Sequence, residues 1–142
     1  MTDTPIPEPT TLIFHPWAPE PGWDPAHDAR GLYVERVWCS VLGPTSTLGL
    51  RIIVSLLAKA PVVKVQAVDL AQLLGVPGGA SKWGVLGRSL RRLEQFGAAQ
   101  STEPDTWVVR THLPSLTERQ LMRHGPLVRG FHHLLTSRPP TG

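Results

Sequence analysis

Glycine and proline punctuate the middle of this sequence so closely that only short helices and strands fit between them. Gly43-Pro44, Ala60-Pro61, the Gly75 to Gly79 stretch, Gly97 and Gly125-Pro126 divide residues 32–135 into six pieces. Proline cannot continue a helix, and glycine supplies the left-handed backbone that ends one. Each piece must therefore bury its apolar face against the others. Tyr33, Val34, Val37, Trp38, Val41 and Leu42 make one helical stripe over residues 32–42. Residues 46–59 are apolar on nearly every side and are expected to form the buried axis. Val62 to Val65 reads as a short edge strand, and residues 67–74 as a two-turn helix. A longer helix over residues 81–96 turns Leu86, Leu90 and Leu93 inward. Residues 98–111 follow as a hairpin with a polar loop. Ser115-Leu116-Thr117-Glu118 has the form of a capping box and predicts a helix over residues 116–124, with a last helix over 127–135. The predicted fold is mainly α with a small β-hairpin.

Composition limits what such a chain can do. Seven of its fifteen prolines fall in the first 25 residues, so residues 1–31 read as a Pro-rich acidic extended tail, residues 32–135 as the domain, and 136–142 as a disordered end. The tail carries five acidic residues against Arg30, so the net charge of +3 leaves the remainder at +7. A basic domain suits a polyanionic partner. Cys39 is the single cysteine, which excludes a disulfide framework and implies a reducing cytoplasm. The longest apolar run is too short to span a membrane, and no signal peptide is apparent. No nucleophile, base and orienting residue form a catalytic set, and the histidines lack metal-ligand spacing, so neither an enzyme nor a cofactor or metal is expected.

The order helix, short strand, helix, turn, helix, hairpin, with short spacers, is that of a winged helix. Val68-Asp69-Leu70-Ala71-Gln72-Leu73-Leu74-Gly75-Val76, followed by Leu86-Gly87-Arg88-Ser89-Leu90-Arg91-Arg92-Leu93-Glu94-Gln95-Phe96-Gly97, resembles bacterial winged helix-turn-helix DNA-binding proteins over about residues 44–112. From Trp38 to Leu135 the chain is similar to uncharacterised actinobacterial winged-helix proteins that carry Val-Leu-Gly-Pro before the first long helix. Tyr33 to Leu57 is more distantly similar to DnaD-type replication initiation proteins. The resemblance implies a winged helix-turn-helix with extra N- and C-terminal helices, a transcriptional regulator, and residues 81–96 as the helix that reads duplex DNA.

In that geometry Lys82, Arg88, Arg91, Arg92 and Gln95 lie on the outward face of the reading helix, where a guanidinium can pair bidentately with guanine. Ser81 either caps the helix or contacts a phosphate. Arg110, on the returning strand of the hairpin, is the cation nearest its tip. Glu103 and Asp105 make that tip acidic, which favours an alternative: a winged-helix protein-interaction adaptor in a replication or other assembly. The flanking helices either complete the core or form a homodimer interface, as two-fold DNA half-sites would require.

Overall fold

The computed structural model describes residues 10–77 and 84–137. Its first element is a strand, β1 (Thr11–Pro16). Thr11-Leu12-Ile13-Phe14 is β-branched, aliphatic and aromatic, and alternate side chains of an extended chain face opposite sides. Leu12 and Phe14 accordingly turn inward and are buried, Phe14 completely. β1 pairs antiparallel with β3 (Val63–Gln66) and parallel with β5 (Thr106–Val109). β5 in turn pairs antiparallel with β4 (Ala99–Glu103), which gives a four-stranded sheet in the order β3-β1-β5-β4.

Two expectations change here. The expected fold was mainly α with one hairpin and a short edge strand; the edge strand is present as β3, but the unexpected β1 joins it to the hairpin in one sheet, so the architecture is mixed α/β. Residues 11–31 are also no tail. The Ile13 amide donates to Asp105 O at 2.8 Å, the Trp17 amide to Val109 O at 2.9 Å, and the Ala29 amide to Thr111 O at 2.9 Å. A second short pairing joins β2 (His27–Asp28) to β6 (His112–Leu113). The Arg51 guanidinium donates to Gly31 O at 2.8 Å, which fixes the end of this segment to the central helix.

The described residues form six helices. Helix α1 begins as a π-turn, Val34–Trp38, and continues as an α-turn, Cys39–Leu42; it buries the predicted stripe, and the Trp38 indole donates to Pro114 O at 2.7 Å. Cys39, on this helix, is half-buried. Gly43, at φ 83°, turns the chain directly into α2 (Pro44–Leu57), where proline occupies a first-turn position that needs no amide. α2 packs on α1, the sheet and the two helices that follow, although Leu48 on its outer side is exposed. α3 (Ala67–Leu74) ends at a left-handed Gly75. α4 (Val85–Gln95) buries Leu86, Leu90 and Leu93, and Gly97 stops it.

α5 (Glu118–Met122) does carry a capping box, but with Thr117 and Gln120 rather than Ser115 and Glu118. The reason is local. The Ser115 hydroxyl is 2.8 Å from His27 Nε2, and the Leu116 amide donates to the Tyr33 hydroxyl at 2.9 Å, so the chain is held extended until Thr117. Helix α6 (Pro126–Thr136) lies against α1 through Val128, Phe131 and Leu135, while Leu127 and Leu134 remain exposed.

Candidate nucleic-acid interface

α4 owes its two faces to the spacing of its leucines. Leu86, Leu90 and Leu93 recur every three or four residues and face the core, which leaves the intervening arginines to the other sides. The structure places Arg88 and Arg92 on one cleft and Arg91 on another.

Arg88 is exposed, and its guanidinium makes no hydrogen bond or ion pair among the described residues. It lines a shallow cleft with Arg92 and with Pro44, Thr45 and Ser46 of the first turn of α2. The Ser46 hydroxyl donates to Ser89 O at 3.0 Å and holds that turn against α4. The first amides of a helix have no intrahelical acceptor and carry its positive dipole end. Thr45 and Ser46, in that first turn, line the same cleft as Arg88.

Arg92, expected to be an outward contact, is exposed, but its guanidinium is already engaged within the chain. Its Nη2 and Nε donate to Val41 O at 2.8 and 3.3 Å, and its guanidinium lies 5.5 Å from the centre of the Phe96 ring. It satisfies a carbonyl that the end of α1 leaves without a helical partner. Arg91 is half-buried and lines a different cleft, between α4 and the β4–β5 hairpin. Gln95 is exposed at the last turn of α4. Ser81 and Lys82 lie outside the described residues.

Arg110 departs most from expectation, because it is a core residue, 5% exposed. Its guanidinium lies between the Trp17 ring at 3.7 Å and the Trp23 ring at 4.1 Å, and its Nη2 reaches Glu20 Oε2 at 3.3 Å. Each indole is itself tethered: Trp17 Nε1 donates to Glu20 Oε1 at 2.8 Å and Trp23 Nε1 to His112 O at 3.0 Å. A flat, delocalised cation suits two aromatic faces in a dry setting. Arg110 therefore anchors the segment after β1 and has no side open for a phosphate backbone.

The hairpin tip is acidic. Glu103 and Asp105 are exposed, Asp105 sits at φ 63° in the turn, and Glu94 of α4 accepts the Ser101 amide at 2.8 Å, which ties the hairpin to the helix.

A polar cluster that sequence reading missed lies on the opposite side of α1. The His27 and Tyr33 rings stack at 3.7 Å with 6° between their planes, and the Tyr33 hydroxyl is 2.7 Å from His132 Nδ1 on α6. Partial burial holds both imidazoles below their ordinary proton affinity; Asp24 opposes this at His27, and at His132 the neighbouring His133 reinforces it while Glu118 opposes it. Among the described residues no three histidine, cysteine, aspartate or glutamate side chains converge on a metal position, and no helix is long and apolar enough to cross a membrane. No family model, no curated protein and no solved structure matches the chain.

Proposed function

We propose that this chain is a cytoplasmic duplex-DNA-binding protein, a transcriptional regulator of the winged helix-turn-helix type, with α3 and α4 as the helix pair and the β4–β5 hairpin as the wing. The observation that carries this reading is the juxtaposition of the exposed Arg88 with the first turn of α2. A cationic fork and a set of helix N-terminal amides on one cleft form a seat for a backbone phosphate. A phosphate held there would bring the α4 face that carries Gln95 alongside the duplex. The contact set is narrower than the sequence suggested, because Arg110 is enclosed in the fold and Arg92, although exposed, directs two donors to the Val41 carbonyl. The proposal includes a homodimer, since a single small contact face gains register and affinity from a second half-site.

Fluorescence anisotropy with the full chain and a random-sequence duplex at low salt tests this reading. Binding in the micromolar range, weakening steeply with salt, is expected. Arg88→Ala should weaken it by roughly tenfold and flatten the salt slope by about one. Absence of binding to any duplex at micromolar protein would overturn the proposal. It would favour the second reading, an interaction adaptor, which rests on the exposed Met122, Leu127 and Leu134 and on the acidic hairpin tip. Light scattering on the same sample reads the dimer directly.

A further inference from the structure

The cleft between α4 and the β4–β5 hairpin differs in kind from the phosphate seat. Its volume is about 350 Å³, within the range of small-molecule sites. Its floor is apolar, formed by Leu12 of β1, Leu86 and Leu90 of α4, and Trp107 of β5. Its mouth carries two exposed carboxylates from different elements, Glu94 from the helix and Asp105 from the hairpin turn. Glu94 uses Oε2 to accept the Ser101 amide and keeps Oε1, while the Asp105 carboxylate makes no hydrogen bond among the described residues. Arg91 also lines the cleft, so the mouth has a net charge of −1.

From this arrangement we infer that the cleft binds a small organic monocation with a flat apolar body, the body on the Leu86, Leu90 and Trp107 floor and the ammonium between Glu94 and Asp105. The floor alone would accept any flat apolar body. The carboxylates select the charge, because a cation neutralises them as it leaves water, whereas an anion of the same shape meets like charge. Arg91 limits the preference to a single positive charge. The backbone keeps the mouth in place: the Asp105 carbonyl accepts the Ile13 amide at 2.8 Å, and Glu94 is fixed to Ser101. The inference does not depend on DNA binding.

Tryptamine and indole-3-propionate serve as a matched pair of probes, with the same ring and opposite charge. In an NMR titration of the full chain, tryptamine should give saturable shifts confined to the Trp107 indole and the Leu12, Leu86 and Leu90 methyls. It should bind at least about fivefold more tightly than the propionate. Glu94→Gln with Asp105→Asn should abolish that difference. Both substitutions keep the fold, because glutamine still accepts the Ser101 amide and asparagine tolerates the left-handed backbone at position 105. Three results would overturn the inference: no saturable shift at these residues with about 5 mM tryptamine, equal affinity for the two probes, or unchanged tryptamine affinity in the folded double variant.

Discussion

Replacing Arg110 by alanine tests whether this arginine is a surface contact or a core anchor. Its guanidinium is sandwiched between Trp17 and Trp23, 3.7 and 4.1 Å from the ring centres, and is almost fully shielded from water. A desolvated cation–π contact contributes about 2 kcal/mol, so two give about 4 kcal/mol. The Glu20 partner is half-exposed and adds at most about 1 kcal/mol. Against this, Arg110 Nε is buried without an acceptor, and removing it recovers about 1–2 kcal/mol. The net loss should be about 3 kcal/mol, a large part of the roughly 5–15 kcal/mol that holds a domain folded. Urea unfolding followed by tryptophan fluorescence measures it. Arg110→Lys keeps the charge but not the plane, and should recover less than half of the loss. In a double-mutant cycle Trp17→Ala and Arg110→Ala should couple by about 1–2 kcal/mol. A stability change below about 0.5 kcal/mol, or zero coupling, would refute the anchoring role and return Arg110 to the surface.

Three further outcomes follow from the same structure. Phe14→Ala, at a fully buried site in an internal strand, should cost about 3–5 kcal/mol in the same unfolding assay, which no residue of a solvated tail would do. Thermal stability should be level above about pH 7 and decline as the pH falls through and below the ordinary imidazole range near 6.5. His27 and His132 have lowered proton affinity in the folded state, so the unfolded chain takes up protons first and acid favours it; a melting temperature that rises below pH 6.5 would contradict this. Thr117→Ala removes the hydroxyl that accepts the Gln120 amide at 3.1 Å and should cost about 1 kcal/mol, read as early loss of amide protection in α5.

Much of the helical part was legible in the sequence because its signals are local. Gly43-Pro44, Gly75 and Gly97 stop helices through their own backbone chemistry, and the leucines of α4 repeat at helical spacing, so these elements could be read one at a time. β1 was not legible in this way. Thr11-Leu12-Ile13-Phe14 did carry a strand signal, but it is brief and set among prolines, and both neighbours that make it a strand lie far along the chain. The arginines illustrate the same limit. A helical wheel gives the direction in which Arg92 leaves α4 but not that the Val41 carbonyl waits there. Nor could the sequence near Arg110 reveal two tryptophans contributed from residues 17–23. The two overlapping capping boxes near residue 117 were both acceptable as sequence, and the distant His27 decided between them by engaging Ser115.

The internal position of β1 also governs when the protein can fold. The strand is synthesised well before one of its partners, because Ile13 to Pro16 pair with residues 106–109. Until the hairpin appears, one edge of β1 has no partner, and closing the sheet requires joining parts of the domain that lie far apart along the chain. Nascent chains of this protein must therefore keep an apolar strand waiting until residues 106–109 have been made. An extended segment from elsewhere, offered during that interval, would compete for the seat between β1 and the place β5 has yet to fill.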